Sequence, residues 1–352
     1  MVASGVAHPA HFKDGLDDLS LSSTGLGTYL GGNDTLTDGL YRSAIKQAIV
    51  SGCNVLDSAI NYRCMRSERV IGEALSALMH DGVTARDEIL ISTKGGFIPF
   101  DGVPPRDPQA YLQQTFVMPE ILSPDDVVAD CHCMAPAYLQ HQLKTSLSNL
   151  GLSCVDVYYL HNPEVQLDHV SPGKFFSRMR EAFTVLEAAV AQGHIRVYGT
   201  ATWEGYRTKI GSSGHLSLET LVKIAEEVGG KDHHFKVIQL PYNLGMPEAL
   251  AEQTQVLNGS AMSFLEAAKA LDLYVMASAA ILHGQLTRGL PVQLREGLGE
   301  GTDAQRSIQF VRSTPGMGTA LIGMKQADHV RENLAVVARA PLSFEQFTSL
   351  FQ

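Results

Sequence analysis

Short apolar runs recur along the chain, each closed by turn residues and followed by a longer stretch in which apolar positions return every three or four residues. The runs are "NVLDSA", "EILISTKG", "VDVYYLHN", "IRVYGTATW", "KVIQLPYN", "LYVMASAA" and "TALIGM", and the stretches between them include "APAYLQHQLKTSLSNLG", "FSRMREAFTVLEAAVAQG" and "SFLEAAKALD". Strands therefore alternate with helices. Near-continuous apolar strands are buried on both faces, as parallel strands under a layer of helices are. A weaker run near residues 20 to 32, "LSLSSTGLGTYLGG", brings the strand candidates to eight. Eight βα units predict a closed (β/α)8 TIM barrel, a single domain over residues 1–352. An open doubly wound sheet is the competing reading, but it requires a glycine fingerprint after its first strand. "GLGTYLGG" does not match that fingerprint, and no phosphate-binding P-loop, repeat, low-complexity tract or interdomain linker is present.

Two stretches are longer than a barrel requires. Residues 97–135 follow the third predicted strand and residues 281–302 the seventh. Both lie on the C-terminal side of strands, where barrel active sites are built, so they are expected to be functional loops.

Composition narrows the partners. Hydrophobic residues make up 45% and charged residues 18% of the 352, which supports a substantial core and argues against disorder. Lys and Arg total 27 against 37 Asp and Glu, a net charge of −10 with no basic run, which speaks against nucleic acid or an anionic membrane surface as partner. No segment holds the 18 or so apolar residues of a membrane span, and the start "MVASGVAHPAHFKDG" has neither a basic nor a sustained apolar stretch. Cys53, Cys64, Cys131, Cys133 and Cys154 are an odd number in a long chain and read as reduced thiols. Together these predict a cytoplasmic protein; the sequence does not specify an oligomeric state.

The candidate chemistry lies at strand ends. The second predicted strand ends in Asp57, the third in Lys94 and the fourth in His161, with Tyr62 on the loop after Asp57. Singly, each has an ordinary explanation: a carboxylate capping a turn, a lysine reaching to water, a satisfied histidine, a packed phenol. Three titratable groups on successive staves of one barrel are harder to ascribe to packing, because charges near a core are costly unless paired. The set suits proton donation to a carbonyl oxygen. Lys94 is expected to lower the pKa of Tyr62, Asp57 to hold Lys94, and His161 to orient the substrate oxygen. No nucleophile of the serine or cysteine kind belongs to it, and it lacks a source of electrons.

These residues and their order resemble the aldo-keto reductase family. The similarity runs through "GLGTYLGG", "LDSAINYRCMRSERVIGEAL", "STKGG", "VDVYYLHNPE", "QGHIRVYG", "IQLPYN" and "STPGMGTALIGMKQADHVRENL", nearly the whole chain. The resemblance implies that Asp57, Tyr62, Lys94 and His161 are a catalytic tetrad with Tyr62 as general acid. It implies hydride transfer from a reduced nicotinamide cofactor, NADP (NADPH) rather than NAD, to a small-molecule carbonyl substrate. By the same resemblance Asn162 and Gln239 bind the nicotinamide carboxamide, and Gly27 and Thr28 pass near its ribose. Ser278 through Gly284 lie along the pyrophosphate. Lys325 and His329 stand near a 2′-phosphate and Glu332 and Asn333 near adenine, at a helix start that favours anions. A barrel of the same superfamily that binds cofactor but acts mainly as a regulatory subunit, as potassium-channel β subunits do, is the alternative.

Two positions depart from the family's pattern. Ala201 and Thr202 stand where Ser-Asn is frequent, and Ala277 stands where an aromatic ring usually covers the nicotinamide, leaving a vacancy that Trp203, the sole tryptophan, is placed to cover. No metal site is expected: in "CHC" at 131–133 adjacent residues cannot all face one ion, and no second ligand pair stands at suitable spacing.

Overall fold

The computed structural model describes residues 6–16 and 19–352. Eight parallel strands close in chain order: β1 (Thr24–Gly27), β2 (Val55–Asp57), β3 (Leu90–Gly95), β4 (Val155–His161), β5 (Ile195–Ala201), β6 (Phe235–Pro241), β7 (Tyr274–Ser278) and β8 (Thr319–Gly323). All eight sequence-predicted strands are present, and β8 returns to pair with β1. The helix after each strand is, in order, α1 (Thr35–Val50), α2 (Arg66–His80), α3 (Pro136–Leu150), α4 (Pro172–Ala191), α5 (Leu218–Gly229), α6 (Phe264–Ala270), α7 (Asp303–Ser313) and α8 (Ala327–Leu334). Five of the eight starts carry side-chain caps: Asp34 accepts from the Thr37 amide, Ser171 from Lys174 and Ser217 from Thr220, and Ser263 with Glu266 and Thr302 with Gln305 form capping boxes.

Side chains alternate between two cores. Leu56, Ile91, Leu160, Ile238, Val275 and Ile322 point outward against the helices, whereas Val55, Leu90, Val157, Val237, Met276 and Leu321 fill the barrel. Both faces are apolar, which is why the strands read as continuous apolar runs. Two elements lay outside the sequence reading. An antiparallel hairpin (Phe12–Leu16 with Leu19–Ser22) contributes Leu16 and Leu21 to the inner core at the barrel floor, so the weak first run divides into a hairpin strand and β1. A second hairpin pairs Gln255–Leu257 with Ser260–Met262 through Asn258 and Gly259, both at positive φ.

The long segments carry short helices. The one after β3 includes Pro108–Leu112 and packs a small core of its own around Leu112, Phe116 and Leu122, against Tyr138 of α3. The one after β7 includes Val292–Gly297.

Candidate active site

Asp57 and Lys94 form a buried ion pair at the ends of β2 and β3. Lys94 Nζ donates to Asp57 Oδ2 and to the Ser58 carbonyl, each at 2.7 Å, and is fully enclosed. Asp57 Oδ1 accepts from Ser92 Oγ at 2.7 Å and Gln239 Nε2 at 2.8 Å. Burial pushes the Lys94 amine below its ordinary range, and Asp57 opposes that shift. A charge so placed persists only because its partner and the Ser58 oxygen replace water.

Tyr62 stands on the β2–α2 loop with the Lys94 ammonium 4.8 Å from its ring centroid. Arg63, Cys64 and Met65 follow it with φ of 50°, 55° and 66°, three consecutive left-handed residues that are not glycine. Such backbone costs about 1 kcal/mol or more per residue and persists only where its surroundings fix it. Here the buried Arg63 guanidinium donates to the Gly32 carbonyl at 2.8 Å and to Asp38 at 2.6 Å, and Arg66 shares the same carboxylate. The expected net lowering of the Tyr62 pKa is corrected: the shift is upward. Burial, followed by the Asp57 carboxylate, pushes the phenol well above its ordinary range. Burial outweighs whatever the lysine charge gains for the phenolate, and Asp57 offsets that charge. Tyr62 is a neutral phenol in the resting site.

His161 ends β4 with its ring edge-on to Tyr62 at 5.7 Å and to Phe97 at 5.0 Å between centroids. Burial, with Lys94 adding, holds its imidazole well below the ordinary range, so the ring is neutral. Its Nδ1 is buried without a hydrogen-bond partner. A buried N–H without an acceptor is costlier than an unused lone pair, which leaves the proton on Nε2, the nitrogen able to donate to a substrate oxygen.

A cavity of about 870 Å³ opens above these groups and extends to the start of α8. Asp57, Tyr62 and His161 line it, and Lys94 lies beneath. Every sequence-predicted cofactor residue lines it too: Gly27, Thr28, Asn162, Gln239, Ser278, Gly284, Lys325, His329, Glu332 and Asn333. Some are already engaged. Thr28 Oγ1 donates to the Asp57 carbonyl at 3.0 Å, and one Gln239 amide hydrogen is taken by Asp57. Asn162 turns left-handed (φ 46°) as the chain leaves β4, and Ala279, Leu282, His283 and Gly284 bend the backbone after β7 along the cavity with positive φ.

The vacancy expected at Ala277 is absent. Ala277 points outward, fully buried in the core between barrel and helices, and the residue of that strand end that lines the cavity is Ser278. A ring at 277 would press into the helices, away from any nicotinamide. Trp203 does stand at the mouth, 40% exposed, its ring 6.2 Å from that of His283. Ala201 and Thr202 line the cavity beside it.

Sequence reasoning missed Tyr29 and Phe97, each on a loop just past a strand end, and Glu164. Buried Glu164 accepts the Trp203 amide at 2.7 Å and the Glu204 amide at 3.2 Å, tying the β5 loop to the turn after β4. Its place three residues after His161 was the available signal.

A sequence model described as the Aldo/keto reductase family matches residues 23–210, more than half of the chain. The chain belongs to the aldo/keto reductase family. Asp57, Tyr62, Lys94, His161 and Asn162 all fall within the matched segment. An NADH-specific methylglyoxal reductase of Escherichia coli (strain K12) is 28% identical over 198 residues, 53% of this chain and 50% of the relative. The chain spans about half the length of the curated relatives it matches. An aldo/keto reductase from Klebsiella pneumoniae, solved in complex with NADP and acetate, matches with a TM-score of 0.64 at 20% identity, covering 97% of this chain and 94% of that one. The holo form of aldo-keto reductase AKR11C1 from Bacillus halodurans matches at 0.65 and 19%, covering 97% and 95%. At these identities the structural likeness carries the fold, the closed barrel described above. No helix among the described residues is long and apolar enough to cross a membrane.

Proposed function

We propose that the protein is a nicotinamide-dependent reductase of aldehyde or ketone carbonyls, with Tyr62 as general acid and Asp57, Lys94 and His161 as its supporting set. The observation that carries this reading is the Asp57–Lys94 pair packed beneath a phenol and a neutral imidazole that share one cavity wall. The cavity also fits the cofactor. It is long enough to reach from Tyr62 to a cation, Lys325, at the start of α8, and small residues such as Gly27, Ala279 and Gly323 line its course. Asn162 and the free face of Gln239 would hold the carboxamide, and Lys325 and His329 a phosphate. A bound reduced nicotinamide supplies the hydride.

The residues of the chain handle the oxygen. His161 Nε2–H and the Tyr62 hydroxyl donate to the carbonyl oxygen and fix its place. As that oxygen gains alkoxide character it becomes a stronger base than a phenolate, so a neutral phenol with a raised pKa still gives up its proton. The Lys94 ammonium then faces a developing phenolate, and its charge acts in the transition state more than in the resting enzyme. Asp57 keeps Lys94 charged and in place.

The test is oxidation of NADPH or NADH, followed by absorbance, with methylglyoxal and simple aromatic and aliphatic aldehydes. Turnover by the wild type, and a fall in kcat of ~10²- to 10⁴-fold in Tyr62→Phe with cofactor affinity retained, is the expected result. Cofactor binding without turnover would instead favour the regulatory reading.

A further inference from the structure

We infer that His132 is a positioning residue for His161, acting through a one-way hydrogen-bond chain that starts at Arg178. The inference rests on the reductase reading for its catalytic consequence, though not for its geometry. The Arg178 guanidinium donates to Gln166 Oε1. An arginine can only donate, so the Gln166 amide must present its oxygen there and its NH₂ to the other side, where it lies 2.9 Å from His132 Nδ1. Nδ1 therefore accepts, and the proton of His132 sits on Nε2, which donates to the His161 carbonyl at 2.8 Å. Each group in the chain fixes the direction of the next. His132 and Gln166 are fully buried and Arg178 nearly so. Burial lowers the His132 pKa to about 4, opposed by the bond to the His161 carbonyl and aided by the Arg178 charge, and so keeps the ring in the neutral form that the chain demands.

The His161 carbonyl needs this partner. On the β3 side the ladder stops at the Gly95–Leu160 pair, so His161 projects one residue beyond it and its oxygen has no strand to meet. The loop after β3 fills the gap: Phe97 bridges His132, and Cys133 donates its amide to the Gly96 carbonyl at 2.8 Å. Gly96 makes the approach possible. A Cβ there would stand 2.9 Å from His132 Nε2 and 3.1 Å from the His161 oxygen, and its φ of +134° suits glycine.

Backbone support matters because the His161 ring has little else. Its Nδ1 is unpartnered, and it is held by edge contacts to Tyr62 and Phe97. Phe97 in turn stands edge-on to His132 at 5.1 Å. His132 thus governs both the carbonyl behind the ring and the aromatic wall beside it.

The test compares His132→Phe, which keeps a ring but cannot donate, with His132→Gln, whose amide can accept from Gln166 and donate to the His161 carbonyl. His132→Phe should lower kcat roughly 10- to 100-fold, the scale of a small misplacement of a catalytic group. The KM for the nicotinamide cofactor should be unchanged, and His132→Gln should restore most of kcat. Imidazole ¹⁵N spectra, recorded without substrate, should show His132 as the Nε2–H tautomer from about pH 5 upward. The same spectra should show His161 resonances displaced in His132→Phe and near wild type in His132→Gln. If His132→Phe does not fold, Gln166→Leu breaks the same chain one link away and should displace the His161 resonances. Unmoved resonances in the folded variant, or equal losses in Phe and Gln variants, overturn the inference. Absence of turnover by the wild type overturns the reductase reading alone, since the spectra still report on the chain.

Discussion

A lysine enclosed by apolar staves holds its charge only through a counter-ion, and Lys94 has one at 2.7 Å in Asp57. That pairing was legible in the sequence because polar residues closing apolar runs are conspicuous. The net shift of Tyr62 was not, because it depends on how deeply the phenol is buried and on how far Asp57 cancels the lysine charge. Ala277 shows how narrow the margin is: one step along a strand exchanges the two faces of the sheet, and no aligned string reveals which face a small residue takes. At the far end of the cavity, Lys325 makes no ion pair among the described residues, so its charge is free to meet a ligand. We expect NADPH to be preferred to NADH, and Lys325→Ala to weaken NADPH by roughly 1.5 to 3 kcal/mol while changing NADH little, in titrations of either cofactor. Equal losses for both would remove Lys325 from 2′-phosphate recognition.

Among the elements, the turn Pro163–Asp168 after β4 links the loops on either side of it. Gln166 reaches toward the β3 loop and Glu164 toward the β5 loop. The Glu164 carboxyl is raised above its usual range by burial, against the pull of the amides it accepts, yet those amides need an acceptor. Glu164→Gln keeps the size and offers one amide oxygen in place of a carboxylate. It should loosen residues 202–205, seen as a red shift in the emission of Trp203, the only tryptophan, and as a higher KM for bulky aldehydes with kcat less affected. An unchanged emission spectrum would mean that the loop holds without the carboxylate. Most elements followed from apolar periodicity. The hairpin at 255–262 escaped it despite the Asn-Gly dipeptide in "QVLNGSAM", a strong short-range turn signal that is too local to stand out among long βα units. The buried polar links escaped for another reason: they join residues tens of positions apart, and no spacing announces them.

For the molecule as a whole, buried imidazoles set an acid limit. His11, bonded to Ser23 and the Gly52 carbonyl near the barrel floor, and His132 in the β3 loop are both lowered to about 4, chiefly by burial. The unfolded chain takes up a proton on each below about pH 6.5, whereas the folded chain keeps both off until about pH 4. Stability is therefore present above pH 6.5 and lost as the pH falls toward 4, on the order of 2 kcal/mol per imidazole at pH 5. Urea melts at pH 7.5 and 5 should show the drop, to which His161, also held well below its ordinary range, adds, and His11→Asn should reduce it by about a third; a flat profile would contradict the burial of these rings. The eight-stave plan itself was legible throughout, because its two apolar cores write a repeating pattern into the chain. The segment after β3 stands apart from that pattern. Leu112, Phe116 and Leu122 give it a small core of its own, which meets the barrel's outer layer through Tyr138 of α3. The inner residues of the segment can therefore drift in descendants of this chain while the cavity wall, which the segment reaches only through Phe97, keeps its shape, so long as Phe97 and His132 still anchor its two ends.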